Sequence, residues 1–492
     1  MMDLEKLLGT HPQYDNHSSE ADYLYRSFVG GEEYREGRFL TRYIGEENAP
    51  GDQYGKRIKE TPLDNQVATT IDIYRSMLFR NLPQRTLGLM HEHPLVHEWL
   101  QDTDQEGQSL NSFMKTVNDN AMCMGNQWIL IDKPSYKVET QAQEIELGIR
   151  AYAAMYSPMN VLDWYYERNI AGKKELKMIK VVESNNDQTM IITCWYPQFT
   201  HKYTVSKDNF GKADTIVNME EYENPLGYVP FVNHRPLPSP TMGIGFSLVA
   251  DVASCQKAIY NLYSEMMQNI SISSHPTLVK TPDTDATAGA GGIVTMSHDM
   301  DPQLKPYLLS PGNSTVSGIL SSIQNLNDSI KRMTHTQAVQ AQSGQPMSGV
   351  ALKVEQNLLN ARLADISDTL RETEKKMWKI WSDWQNIVLP EEFDIEYSET
   401  FDLVDEHSRL EFLTKARASG VNNPMFQKEI DRQLIHMVVE DDEEAARIAI
   451  DEAEGWKPHI MTNKETGDTI VTNTEEEHLK LIDAGYVHVD EL

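Results

Sequence analysis

Cysteine is scarce in this chain. Three cysteines in 492 residues, Cys123, Cys194 and Cys255, lie far apart and share no ligand spacing. That excludes a disulfide framework and a cysteine-based zinc site, and it predicts reduced thiols in a cytosolic setting. Positive charge is also short: 44 Lys and Arg stand against 74 Asp and Glu, for a formal net charge of −30. A general basic surface that grips nucleic acid is therefore excluded. A surface past which nucleic acid slides without sticking is not. No run approaches 18 apolar residues, so no membrane-spanning helix is expected. The opening, MMDLEKLLGTHPQYD, lacks a basic stretch followed by an apolar one and does not read as a signal peptide.

Catalytic motifs are missing as well. There is no G-x-x-x-x-G-K-[ST], which argues against a phosphate-cradling motor. The glycines of GAGG at 289–292 have no following helix, so they read as a flexible tip and not as a dinucleotide fingerprint. HEHPLVHEW contains His91, His93 and His97. The i,i+4 pair His93 and His97 could chelate a metal on a helix, but HExxH is not matched and Pro94 intervenes. A helix start with Pro94 at its first position explains the run better. No cofactor and no enzymatic activity are expected.

What the chain does have is apolar residues, 40% of the total, and one long uninterrupted helical pattern. From 350 to 384 no Pro or Gly occurs, and Leu359, Leu363, Ile366, Leu370, Met377, Trp381 and Trp384 follow at spacings of 4, 3, 4, 7, 4 and 3. Such a helix is on the order of 50 Å long. Trp378, Trp381 and Trp384 at its end could stack nucleobases, but buried packing is the expected role of tryptophans at this spacing. A charge-free stretch rich in Gln, Ser and Gly, QAVQAQSGQPMSG, leads directly into this pattern. Its amides and hydroxyls can meet phosphates transiently without the counterion release that makes Lys and Arg contacts tight.

Elsewhere the fold class reads as α+β. Residues 1–60 suggest a surface arm with short helices. Asp64 is expected to cap a helix running to about 81, with Val67, Ile71, Tyr74, Leu78 and Leu82 on one face. A second helical region covers about 97–124. Short β-rich runs then follow (WILIDK, RAYAAMY, NVLDWYYERN, LKMIKVVE, MIITCWY, HKYTVSK) and predict one antiparallel meander. Five prolines between 225 and 240 predict an extended connector. A helix over about 246–272, with Leu248, Val252, Ile259, Leu262, Met266 and Ile270 as its stripe, and another over about 315–334 enclose a small β-containing insertion. FDIEYSETFDL alternates as a strand. Residues 406–453 predict two or three acidic helices. The tail predicts a hairpin turning at Thr466-Gly467-Asp468 and a helix from Thr474, where Thr474 with Glu477 makes a capping box.

These pieces, in order, carry a resemblance. TPLDNQVATTIDIYRSMLF, YSPMNVLDW, NPLGYVPFV, GIGFSLVADVASCQKAIYNLYSEMMQN and SGVALKVEQNLLNARLADISDTLRETEKKMWKIW, over about 60–400, resemble the portal proteins of tailed bacteriophages. The resemblance implies a portal-type fold with an α/β wing (1–243), first stem helix (244–272), small α/β clip (273–313), second stem helix (314–335) and tunnel loop (336–349). The long helix and C-terminal wing (350–404) and a helical crown (405–455) would follow; the tail, 456–492, falls outside it. It further implies a dodecameric homo-oligomeric ring at a capsid vertex of the virion, assembled in the host bacterial cytoplasm, through which double-stranded DNA passes without sequence recognition. The implied partners are the terminase large subunit, a head–tail adaptor protein, and the major capsid and scaffolding proteins. Gln337, Gln340, Gln342, Ser343, Gln345 and Ser348 would then face the channel, and Lys280, Asp283, Asp285 and Lys305 would meet partners at the clip. The other readings are a different virion ring or tail structural protein, such as a head–tail connector, a metal-dependent hydrolase at the three histidines, and a DNA-binding regulator.

Overall fold

The computed structural model describes residues 3–46, 51–134, 148–208, 210–274, 277–279, 301, 307–309, 313–337, 349–398, 401, 413–417, 430, 434, 459–463, 469–472 and 486–488. The chain divides into two units, Met1–Phe401 and Asp402–Leu492.

The first unit opens with four helices: α1 (Leu4–Leu8), α2 (Tyr14–Val29), α3 (Gly31–Glu36) and α4 (Gln53–Glu60). The expectation of a surface arm fails here. Leu7, Ala21, Leu24, Tyr34, Tyr54 and Ile58 are all buried. The polar composition of the segment hid a few large apolar side chains at helical spacing. Lys180, itself buried, donates to the carbonyls of Lys6 (3.1 Å) and Gly9 (2.7 Å) and so closes the end of α1.

Helix α5 (Gln66–Leu78) begins at Asn65 and not at Asp64: the Asn65 side chain accepts from the Ala68 amide at 2.9 Å. Val67, Ile71, Tyr74 and Leu78 are buried as expected, but Leu82 lies beyond the helix and is exposed. After β1 (Gln84–Thr86) the expected single helical region is two helices, α6 (Pro94–Gln101) and α7 (Leu110–Met124). The Ser109 hydroxyl caps α7 by accepting from the Ser112 amide. Gly125, at φ 92°, ends it, in backbone space that disfavours any side chain. A Cβ on Gly125 would also press to 2.5 Å on the carbonyl oxygen of Gly245, so two glycines let these chains touch.

Strands β2 to β9 form two sheets, not the one meander expected. β2 (Gln127–Asp132) sits between β3 (Tyr152–Tyr156) and β9 (Phe231–His234). β4 (Val161–Arg168), β5 (Lys174–Asn185), β6 (Thr189–Trp195), β7 (Phe199–Lys207) and β8 (Ala213–Glu223) follow in chain order as a separate antiparallel sheet. The 3-10 turn Pro158–Asn160 redirects the chain between the two. β2 serves two cores through its period of two: Ile129 and Ile131 join the main core, while Trp128 and Leu130 join a second one with Trp164, Ile179 and Trp195. β9 lies inside the proline-rich stretch read as a connector. Its prolines flank the paired residues, and the Pro230 carbonyl still accepts from the Ile131 amide at 3.0 Å.

Helices α8 (Ala250–Ser274) and α9 (Asn313–Met333) are joined through the short antiparallel pair β10 (Thr277–Val279) and β11 (Tyr307–Leu309). The long helix is α10, Gly349–Gln385, within one residue of its expected ends. Leu359, Leu363, Ile366, Leu370, Met377, Trp378 and Trp381 are all buried in the main core with residues of α5 and α7. Each such side chain contributes about 1.5–3 kcal/mol by leaving water. Among the described residues of FDIEYSETFDL the strand is β12 (Asp394–Glu396), and it pairs with β1. In the second unit, β13 (His459–Asn463) and β14 (Thr469–Thr472) form the expected tail hairpin, and β15 (Tyr486–His488) adds a third strand on β13 that the sequence did not reveal. Of the expected crown helices only 413–417, 430 and 434 are described, and they are helical; the helix expected from Thr474 lies outside the described residues.

Candidate functional site: a two-helix arm and its root

Helix α8 runs into β10, and β11 runs back into α9, so the two helices pack side by side in opposite directions. Burial along them is graded. In α8, Val252, Ala253, Gln256, Ile259, Tyr260 and Ser264 are buried, and no described side chain after Ser264 is. Among the described side chains of α9 the first buried one is Ile323, followed by Ile330. Among their described side chains the far halves, 265–274 and 313–322, hold no buried residue, although Ile319 packs partly buried against the core; together they form an arm. In sequence they are EMMQNISISS and NSTVSGILSS, with Glu265 as their single charge. Met267, Ile270 and Leu320 are 46%, 42% and 46% exposed. Ile270, expected on the buried stripe, is therefore on the outside: the helix outlasts the core it packs on. An uncharged helical pair with bare methionine, isoleucine and leucine is a surface that gains by meeting another apolar surface.

The root of the arm is held by polar contacts. The buried Gln256 side chain accepts from the Val67 amide (2.9 Å) and donates to the Ser27 carbonyl (3.1 Å). The Tyr23 hydroxyl donates to the Ala253 carbonyl (2.7 Å), and that of Tyr74 to the Thr334 carbonyl (2.9 Å). Thr334 ends α9 in a turn that includes His335 at φ 55° and the buried Thr336. The His335 ring lies 3.9 Å from the Glu355 carboxylate of α10.

Of the loop residues singled out from sequence, Gln337 follows this turn and is half-buried. Gln340, Gln342, Ser343, Gln345 and Ser348 lie outside the described residues, as do the clip residues Lys280, Asp283, Asp285 and Lys305. The histidine cluster is built as a helix start. His93 Nδ1 accepts from the Leu95 amide at 3.3 Å with Pro94 in the first turn, while His97 pairs with Gln101 at 2.8 Å. Among the described residues no group of three or more His, Cys, Asp or Glu side chains is placed to hold a metal ion. Trp378 and Trp381 pack with Trp99 at ring separations of 6.3 and 5.9 Å, and Trp384 donates its indole N–H to the Ile131 carbonyl. These tryptophans are core and not a stacking platform. Cys123 and Cys194 are buried free thiols; burial pushes the Cys194 thiol up to about 11.

One feature of the core escaped sequence reading. Glu374, wholly buried on α10, takes a bidentate contact from Arg85 (2.5 and 3.2 Å) and hydrogen bonds from Tyr397 (2.5 Å) and Trp378 (3.2 Å). The signal was the seven-residue gap in the apolar stripe between Leu370 and Met377, where Glu374 occupies the skipped position.

A second buried acid is Asp119. Burial raises its carboxyl to about 6, against the lowering pull of Arg75 at 3.0 Å. Because the folded chain then binds a proton that the unfolded chain releases near its ordinary value, stability falls as pH rises from about 4 through about 6. Asp119→Asn is expected to flatten that fall by up to about 3 kcal/mol. Urea titrations of both proteins at pH 4.5 and 7.5 would measure it, and identical pH slopes would count against the assignment.

No family model matches the chain, and no curated protein matches it. A solved structure described as the neck of an empty GTA particle, computed with C6 symmetry, is similar over 82% of this chain and 99% of the other. The identity is 8% and the TM-score 0.42. A likeness that loose establishes neither a shared fold nor a shared role.

No helix among the described residues is long and apolar enough to cross a membrane.

Proposed function

We propose that this chain is the portal protein of a tailed bacteriophage: a non-catalytic subunit whose copies close into a ring around a channel for double-stranded DNA. The observation that carries the reading is the arm. Beyond Ser264 and before Ile323 no described side chain of the two helices is buried in the lone chain, Met267, Ile270 and Leu320 stand outward, and one charge occurs in twenty residues. Neighbouring copies would cover those side chains, and the resemblance of this helix–insertion–helix arrangement to the portal stem and clip supplies the ring. The net charge of −30 per copy suits a bore that repels the phosphate backbone, where acids face inward. In this reading a terminase does the ATP-driven work, the clip docks it and later a head–tail adaptor, and the Gln/Ser segment before α10 touches passing DNA without holding it.

Electron microscopy of the purified protein is the direct test. Rings with an open bore wide enough for a duplex support the reading, while a monomer under every assembly condition defeats it. A ring of different diameter and subunit count would point instead to another head–tail connector. For the loop, deletion of residues 340–345 is expected to leave rings intact and to impair packaging or retention of DNA; normal packaging and retention would remove the loop from the mechanism.

A further inference from the structure

Where the arm leaves the core, α8 is gripped by a part of the chain 200 residues away in sequence (Arg57 to Ser264 spans 207). Tyr260, Asn261 and Ser264 share one face of the helix, at i, i+1 and i+4. Each is held by the stretches 38–46 and 51–60. The Tyr260 hydroxyl donates to the Ile58 carbonyl at 3.0 Å, and its ring packs in a buried cluster with Tyr34, Leu40, Tyr54 and Ile58. The Asn261 amide donates to the Phe39 carbonyl (3.1 Å), and its oxygen accepts from the Thr41 amide (2.8 Å). Arg57 makes the third link. Its guanidinium donates to both carboxylate oxygens of Glu46 (2.7 and 2.9 Å), to the Thr41 carbonyl (2.5 Å) and to the Ser264 hydroxyl (2.9 Å). It also lies 4.0 Å from the centre of the Tyr43 ring. The side chains of Arg57 and Glu46 are 6% and 10% exposed, so this is a desolvated fork and not a surface pair. Ser264 is also the last buried position among the described side chains of α8.

We propose that these two stretches form a strap that fixes the root of the arm, with Arg57 as its clasp. The strap grips α8 at the level where core packing ends. Among the described residues α8 beyond Ser264 lies beside α9, and Tyr43 of the strap reaches Glu265, so opening of the helix there is opposed chiefly by the strap and its clasp. A planar five-donor guanidinium suits the task because it meets acceptors on three sides at once, which a lysine ammonium on a flexible stem cannot do. The inference concerns contacts within one chain and does not rest on ring formation.

Hydrogen exchange of the full chain, read by mass spectrometry, tests it. Ser264→Val removes the arm-side contact and keeps the Arg57–Glu46 pair, and Arg57→Lys keeps the charge but breaks the fork. Both variants are expected to speed exchange over 261–274 by about tenfold, the equivalent of one lost hydrogen bond to a charged group, while α5 and the middle of α10 keep their rates. An acceleration below about threefold in both variants, or an equal rise in α5 and α10, overturns the proposal. Mass photometry on the same samples reports ring assembly separately, so loss of rings with unchanged exchange counts against the strap and not for it.

Discussion

Exchanging Arg85 for methionine is expected to cost about 3–5 kcal/mol of stability, the largest loss foreseen for any single substitution in the first unit. The reason is what remains behind. Glu374 is fully buried on α10, and Arg85 is the cation that meets it. Burial alone would lower the proton affinity of the Arg85 guanidinium, but the Glu374 charge outweighs it and holds that affinity raised. Burial and then Glu374 push the Tyr397 hydroxyl well above its ordinary range, so it stays a donor. Arg85 also donates to Asn111 of α7 at 2.8 Å. One carboxylate thereby ties the long helix to α7, to β1 and to the residue after β12. With arginine gone it becomes a buried charge held by neutral donors alone. Replacing both ends, as Arg85→Met with Glu374→Met, is expected to restore most of the loss, and adding Tyr397→Phe to restore more by removing the orphaned hydroxyl. Urea unfolding of the single, double and triple variants measures each step. A single-variant loss under about 1 kcal/mol, the range of an exposed pair, would show that the site is not sealed from water.

Placing glutamates at Met267, Ile270 and Leu320 together is expected to abolish assembly while leaving the fold intact. In one chain these side chains are between 42% and 46% exposed, so the individual protein gains three charges on a surface and changes stability little, within about 0.5 kcal/mol per site. In a ring, each copy would have to bury three carboxylates per arm, and every one of them resists leaving water. Size-exclusion chromatography with light scattering should show rings for the parent and monomers for the variant, with superimposable circular dichroism. Persistent rings would mean that copies meet elsewhere and that the arm is bare for another reason.

The long helix was legible because its signal is local. Thirty-five residues without Pro or Gly and a stripe at helical spacing predict the element and the buried face to within a residue at each end. The helices on either side of the insertion, the histidines as a helix start and the packing role of the tryptophans followed from the same kind of evidence. The tail hairpin was legible for a similar reason, since Thr466-Gly467-Asp468 is turn chemistry between two alternating runs.

What stayed hidden depended on partners distant in the chain. β9 was masked by its flanking prolines, because local propensity does not register that β2 needs a second neighbour. The strand pairing of β1 with β12 and the burial of Leu7, Leu24, Tyr34, Tyr54 and Ile58 are likewise long-range. Channel and clip residues were assigned by position within a resemblance, and all but Gln337 lie beyond what the structure describes.

By itself the sequence determined the periodic elements, the acidic balance and the uncharged join before the long helix, because each depends only on residues within a few turns of one another. Tertiary structure alone decided that β2 feeds two cores, that Glu374 finds Arg85, that a strap from the first sixty residues grips α8, and that α8 and α9 run past the end of their core. Those outcomes are set by which surfaces meet in space, and burial of an apolar face or a charge is a property of the pair and not of either strand of sequence alone.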